Sequence, residues 1–297
     1  MKARDARILL TGACGGIGQA TAVALLHAGA SLMLVGRSPE RLATRVRDLS
    51  RRFGNTGSRL IWRAADLTQG AAIEALSDVG SAWCANVVIH CAGLPSFSRL
   101  ESIRVQDMQQ VLNTNLLAPM MLTQAMLPHL RSLPKAQVIC MGSALGRIGL
   151  PGFSVYSASK FGLRGFAEAL RRELADTSVR VQYLGPRSTR TSFNDAAVEA
   201  HNSSTGTAMD SPEQVAAAVL QMLENEAAER FLGFPEKFAV RLNGLVPGVL
   251  DRAFARHRRN LPDRVRVVTL PQSLSSNGSR HTQSTRSTDL PSFNAKL

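Results

Sequence analysis

Residues 7–18 read Arg-Ile-Leu-Leu-Thr-Gly-Ala-Cys-Gly-Gly-Ile-Gly. A short apolar run stops at a glycine cluster, and residues 20–28 then follow a helical pattern, so the segment spells strand, glycine-rich turn, helix. Glycines let the backbone approach a pyrophosphate without a Cβ in the way, and the helix beyond offers unpaired N–H groups and a favourable dipole to an anion. Any tight strand-to-helix turn could use the same residues. The cluster gains weight only if the rest of the chain repeats the unit.

It does. Residues 31–35 are a second apolar run ending in Gly36-Arg37-Ser38, residues 40–53 a basic helix, and residues 60–64 a third strand followed by Asp66-Leu67. Residues 87–91 make a fourth strand closing in Ala92-Gly93, and a long helix over about 105–130 carries Asn115. The fifth strand, 137–141, ends at Gly142-Ser143, and the sixth, 179–184, is closed by Gly185-Pro186. Strands alternating with helices predict an α/β fold, a doubly wound parallel sheet of Rossmann type. Ligands bind such sheets beyond the carboxyl ends of the strands, where Gly12, Arg37, Asp66, Ala92, Ser143 and Pro186 all fall. The residue after the second strand lies beside an adenine ribose, where an acid accepts from a 2′-OH and an arginine pairs with a 2′-phosphate. Arg37 therefore predicts NADP(H), with NAD(H) the weaker expectation.

Tyr156-Ser157-Ala158-Ser159-Lys160 opens a helix expected over 157 to about 176, with Phe161, Phe166, Leu170 and Leu174 on one stripe. Tyr156 and Lys160 stand four apart and share a face. An adjacent ammonium stabilises a phenolate, so the tyrosine pKa is expected to fall from its ordinary value of roughly 10 towards the working range. In isolation such a pair reads as part of a solvated helix face.

Taken together, Thr11-Gly12-x-x-x-Gly16-x-Gly18, Ala92-Gly93, Asn115, Ser143 and Tyr156-x-x-x-Lys160 resemble, in order and spacing, the short-chain dehydrogenase/reductase family over roughly residues 5–235. The resemblance implies an oxidoreductase that interconverts a ketone and a secondary alcohol with a nicotinamide cofactor. It implies Tyr156 as general acid/base, Lys160 lowering its pKa and holding the nicotinamide ribose, Ser143 bonding the substrate oxygen, and Asn115 supporting a water that leads protons to the lysine. The cofactor contacts it implies are Gly12, Gly15, Gly16, Ile17, Gly18, Arg37, Asp66, Leu67, Ala92, Gly93, Tyr156, Lys160, Pro186, Thr189 and Thr191, with no metal. Hydride transfer to a carbonyl creates an alkoxide, which a donor pair such as Ser143 and Tyr156 suits. Bland roles also exist: a turn serine for Ser143, and for Asn115, with Asn113 two positions away, an amide bonded to a backbone carbonyl. Three departures stand out. Cys91 replaces the family's usual asparagine; Arg187 replaces the glycine after the strand-six proline; Gly15 occupies a place where some NADP users carry a basic residue. Arg187 and Arg190 fit either a phosphate or acidic substrate group, or a solvated loop. A non-catalytic NADP-binding sensor or scaffold is the alternative function.

Composition bounds the rest. Net charge is +13, but from residue 252 onward nine Lys+Arg stand against two acids, so +7 belongs to the last stretch and +6 to the body. That weakens the expectation of a nucleic-acid partner. The four cysteines, Cys14, Cys84, Cys91 and Cys140, form no Cys-x-x-Cys pair and read as buried free thiols in a reducing compartment, the cytoplasm. No signal-peptide core or membrane-length apolar run is found. Residues 192–212 lack clear periodicity and would form a substrate lid, while Ser211 is placed to cap a helix to 225. The domains expected are 5–235 as the dinucleotide-binding catalytic unit, 236–260 as an amphipathic helical extension, and 261–297 as a disordered basic tail. In the extension, Phe238, Leu242, Leu245, Val246, Val249, Leu250 and Phe254 share a stripe interrupted by Pro247-Gly248, with Arg252, Arg256, Arg258 and Arg259 beside it. Either it packs on the domain or on another subunit of a homo-oligomer, or it makes peripheral contact with the inner face of a membrane, which would favour an apolar or lipid-like carbonyl substrate.

Overall fold

The computed structural model describes residues 1–54, 56–233, 243, 244, 246, 248, 251 and 254–261. Among these, seven parallel strands join in the order β3-β2-β1-β4-β5-β6-β7. They are β1 (Arg7–Thr11), β2 (Ser31–Gly36), β3 (Leu60–Ala64), β4 (Val87–His90), β5 (Ala136–Met141), β6 (Val179–Gly185) and β7 (Glu229–Phe231). Helices cover both faces, which is why the central strands read as continuous apolar runs: β2 from Leu32 to Val35 and all of β4 and β5 are buried. One core lies with α1 (Gly16–His27), α2 (Pro39–Phe53) and α8 (Pro212–Asn225), and includes Leu10, Leu25, Leu34, Leu42 and Val219. The other lies with α3 (Gly70–Ala82), α5 (Ala118–Ser132) and α6 (Ser154–Glu173), and includes Leu9, Ile73, Met126, Val138 and Leu163. The strand order reverses between β1 and β4, leaving a crevice at their carboxyl ends.

Local chemistry sets the helix starts that border this crevice. Ser38 caps α2 by accepting from Arg41 N at 3.2 Å, with Pro39 at its first position. Ser211 and Gln214 form a reciprocal capping box on α8, as the sequence predicted for Ser211. At α1 the cap is Gly15, which has no side chain to bond the first-turn amides.

Several expectations need correction. The long helix over 105–130 is α4 (Val105–Leu112) and α5, joined by a π-helical turn at Asn113–Leu117 that turns Asn115 into full burial. The Tyr156 helix starts three residues earlier than expected, so Tyr156 lies within its first turn, and Phe161 is 43% exposed; its buried stripe is Leu163, Ala167 and Leu170, continued by Leu174. The supposed lid contains α7 (Ala196–Thr205), capped by the Asp195 side chain. Cys84 is exposed, at φ 56° in the turn after α3, and Cys14 and Cys91 are only partly buried. Of the amphipathic stripe, Phe238, Leu242, Leu245, Val249 and Leu250 lie outside the described residues, as does 262–297 of the tail. Phe254 precedes a short helix, α9 (Ala255–Arg259). Among the described residues no helix is long and apolar enough to cross a membrane, and no group of three or more His, Cys, Asp or Glu could hold a metal.

Candidate active site

A cavity of about 900 Å³ runs along the carboxyl ends of the strands. It brings together every residue the sequence reading assigned to the site except Asn115, which lies beneath its wall.

At one end the glycine turn packs on the strand that follows it in the sheet. Gly12 sits at φ +66°, and a Cβ there would lie 2.6 Å from the Ala92 nitrogen. A Cβ on Gly16 would strike the Thr191 methyl, so the turn also abuts the segment after β6. Thr11 ties β1 to β4: its hydroxyl donates to Ile89 O and accepts from Cys91 N at 3.0 Å and Ala92 N at 3.1 Å. The cap glycine leaves the α1 amides without a side-chain partner, as an anion site requires. Arg37 is exposed at the end of β2, and Arg41, in the first turn of α2, lines the same wall and donates to Cys14 O at 3.0 Å. Asp66 folds back, accepting from Thr68 N and Oγ1 at 3.1 and 2.8 Å, with Leu67 beside it in the wall. A glycine cradle, an uncapped helix start and two guanidinium groups fit a dinucleotide that carries an additional phosphate.

Further along, Ser143, Tyr156 and Lys160 converge. Ser143 Oγ accepts from Leu145 N at 3.0 Å and lines the cavity together with the Tyr156 phenol. Lys160 is 4% exposed, donates to Met141 O at 3.0 Å, and its Nζ lies 5.7 Å from the centre of the Tyr156 ring. Burial pushes Lys160 down to about 8, against the opposing pull of Cys91 and Cys140. Burial pushes Tyr156 up to about 12, while the Ser143 side chain pulls the other way. The expected fall in the tyrosine pKa is therefore not what the protein alone produces, since loss of water around the phenol outweighs what favours its charge. Burial likewise raises Cys91 to about 12 and lowers His90, bonded to Thr123 at 2.7 Å, to about 3, so these two stay neutral.

Asn115 Oδ1 accepts from Leu94 N at 2.7 Å, and its Nδ2 donates to Leu94 O at 2.9 Å and Ser159 Oγ at 3.1 Å. It thus fixes the segment after β4 beside Lys160. Asn113 faces the cavity separately. After β6, Pro186 O accepts from Ala144 N at 2.8 Å, joining two strand ends. Arg187 is not a solvated loop charge: it bonds the buried Asp210 carboxylate at 2.9 and 2.8 Å within the cavity wall. Arg190 is the solvated one, exposed and donating to Met209 O. Thr189 is buried and donates to Arg187 O, and Thr191 accepts from Phe193 N.

The other end of the cavity was not foreseen. Phe153 lies 6.5 Å from Tyr156 and 4.7 Å from Phe97, ring centre to ring centre, and Phe193 is 6.0 Å from Tyr156. His201 of α7, 3% exposed, is 4.9 Å from Phe97 and bonds His257 of α9, Nε2 to Nδ1, at 3.1 Å. Its Nδ1 lies 3.3 Å from the Asn260 carbonyl, which can only accept, so His201 donates there and receives the His257 N–H at Nε2. Arg41 could have been read from the sequence, four residues after Arg37. The aromatic and histidine wall could not, because its members come from four separate segments.

A profile described as short chain dehydrogenase matches residues 6–202. The chain belongs to the short-chain dehydrogenase/reductase family, and is an oxidoreductase of CH–OH and C=O groups. Among its relatives is dehydrogenase/reductase SDR family member 7B of Bos taurus, 31% identical over 271 residues that cover 86% of this chain and 82% of the relative. It is similar also to 3-ketodihydrosphingosine reductase of Mus musculus, 26% identical and covering 73% of this chain and 68% of that protein. A crystal structure of a short chain dehydrogenase from Burkholderia cenocepacia J2315 in complex with NADP superposes with a TM-score of 0.70 at 26% identity, covering 80% of this chain and all of that one.

Proposed function

We propose that the protein is an NADP(H)-dependent reductase of apolar ketones, or the corresponding alcohol dehydrogenase, with Tyr156 as general acid/base. The observation that carries this is the convergence of the Ser143 hydroxyl, the Tyr156 phenol and the buried Lys160 ammonium in one cavity with the glycine turn. Gly12, Gly15, Gly16, Ile17 and Gly18 would hold the pyrophosphate, Arg37 and Arg41 the 2′-phosphate, and Asp66 and Leu67 the adenine end. Ala92, Gly93, Lys160, Pro186, Thr189 and Thr191 would hold the nicotinamide half. The similar NADP complex supports this choice of cofactor. When bound, the cofactor supplies or accepts the hydride. Ser143 donates to the substrate oxygen, Tyr156 gives it a proton as negative charge develops, and Lys160 keeps a positive charge beside the resulting phenolate. Oxidation runs the same groups in reverse. Asn115, by holding Leu94 and Ser159, sets the backbone beside Lys160 past which protons would be returned.

The apolar substrate is supported by Phe153, Phe193, Leu150 and Val198 around the end of the cavity beyond Tyr156, and by similarity to a relative named for reducing 3-ketodihydrosphingosine. NADPH consumption with a panel of long-chain and short-chain ketones, repeated with Tyr156→Phe, tests the reading. Cofactor binding without turnover across the panel would turn it into the sensor alternative. Homo-oligomers are supported by the exposed Leu112, Leu117, Met120 and Phe161 on and beside α4, α5 and α6, which light scattering can check. For residues 254–261, packing on the domain is the better-supported account: Asn260 Nδ2 donates to Ser204 Oγ, and a Cβ on Gly152 would meet the Leu261 side chain. Co-sedimentation of the full chain with anionic vesicles at low salt tests the membrane account.

A further inference from the structure

Ser143 has φ −164° and ψ 161°, almost fully extended. In that conformation a residue's own N–H and C=O point the same way and lie side by side, so one hydroxyl can serve both. The Tyr183 hydroxyl does: it accepts from Ser143 N at 3.0 Å and donates to Ser143 O at 3.0 Å. Tyr183 belongs to β6, next to β5, and is 1% exposed. Its ring fills the space a side chain at 142 would occupy, and its hydroxyl the space a side chain at 146 would occupy, which accounts for Gly142 and Gly146 on either side of the serine. Ser143 O has a second donor in Gly146 N at 3.0 Å.

We propose that Tyr183 is a positioning residue for the reaction: by clamping both backbone groups of Ser143 it holds the serine extended and its hydroxyl aimed at Tyr156 and the substrate oxygen. This rests on the role proposed for Ser143. Burial keeps the Tyr183 phenol above its ordinary range, so its proton stays in place and the hydroxyl remains donor and acceptor throughout the working pH. Removing the oxygen leaves the ring packed but strips the buried Ser143 N–H of its partner, and the residue relaxes to find another. Tyr183 makes no contact with the reacting atoms in this account; it acts only through Ser143.

Tyr183→Phe should lower kcat about tenfold, the loss expected when one hydrogen bond no longer orients a catalytic donor. KM and NADPH affinity should stay within about twofold. In a Ser143→Ala background the same change should cost nothing further, which a general packing defect would not reproduce. Amide hydrogen exchange provides a readout without turnover. Ser143 N–H should be strongly protected in the wild type and exchange at least about tenfold faster in Tyr183→Phe, while Gly142 N–H, bonded to Leu184 O, keeps its protection. Rapid Ser143 exchange in the wild type, unchanged kcat in the variant, or an equal loss in the Ser143→Ala background each overturns the proposal. If the wild type turns over no ketone, the proposed function fails, and wild-type exchange still decides the clamp even if Tyr183→Phe does not fold.

Discussion

The two ends of the cavity are built differently. The cofactor end is made by residues next to one another in the chain, each set at the end of a strand: Gly12 to Gly18 after β1, Arg37 to Arg41 after β2, Asp66 and Leu67 after β3. The substrate end is assembled from Phe153, Phe193, His201 and His257, with Phe97 packed on Phe153 and His201, on segments far apart in sequence. Contacts at the first end follow from backbone geometry that any member of the fold must adopt. Those at the second depend on where loops and the C-terminal residues settle, and side chains there can change without disturbing the sheet. Chemistry and cofactor choice should therefore respond to changes at the strand ends, and substrate choice to changes in α7 and α9.

The largest effect should come where the two ends meet. Tyr156→Phe removes the proton donor and should lower kcat for ketone reduction by about a thousandfold, with NADPH affinity, read by fluorescence titration, changed little. If the variant instead kept turnover and lost NADPH binding, Tyr156 would belong to the cofactor end alone. Next, Arg37→Asp should weaken NADPH binding by about a hundredfold by replacing a charge-assisted bond with repulsion, and NADH binding much less. Arg41→Ala should weaken NADPH about tenfold. Equal loss of both cofactors would show that Arg37 supports the turn and does not read the 2′-phosphate.

Legibility followed the same divide. The boundaries of β1 to β6 were readable to within a residue because buried parallel strands are short apolar runs cut off by small residues or proline. α3 left no clear signal, since residues 70–82 are mostly small and its buried face includes Ser77 and Gly80. α7 was missed because its buried residues are Val198, His201 and Asn202, and a hydrophobic pattern cannot register buried polar groups held by specific partners. β7 has three half-buried residues, too few to show alternation. Ser143, Tyr156 and Lys160, proposed here for catalysis, were legible by residue type and spacing. Their electrostatics were not, because burial sets the direction of the Tyr156 shift and burial is a property of the fold.

Lys160 ties chemistry to stability. Its folded pKa, about 8, lies below its ordinary value, so between the two the unfolded chain binds more protons and stability rises with pH there. Below about 8 the buried ammonium costs the fold about 3 kcal/mol, a net cost that the bond it donates to Met141 O, which favours the charged form, only partly offsets. Lys160→Met should therefore raise the melting midpoint at neutral pH while abolishing turnover. In the wild type, kcat/KM for reduction should fall about tenfold per pH unit above about 8, as the charge beside Tyr156 is lost. A profile flat to pH 10 would show that Lys160 serves by position and not by charge.

The smallest effect should be confined to the substrate end. His257 is held below the ordinary imidazole range, first by burial and then by the neighbouring His201 and Arg256. With α9 packed on α7, His257 therefore binds a proton less readily than it would if that segment were released into water. The sign follows: the packed arrangement is fully favoured above the ordinary imidazole pKa and loses ground as pH falls below it. Since His201 and His257 line the cavity beyond Phe153, loosening this contact should raise KM for a bulky apolar ketone by about threefold on acidification, at saturating NADPH. kcat should be unaffected, because Ser143, Tyr156 and Lys160 are held by β5 and α6. His257→Gln keeps a side chain able to donate to His201 Nε2 but cannot be protonated, so it should remove the pH dependence of KM while leaving neutral-pH turnover in place. If KM in His257→Gln rose on acidification as steeply as in the wild type, the dependence would lie elsewhere, and the substrate end would prove as rigid as the cofactor end.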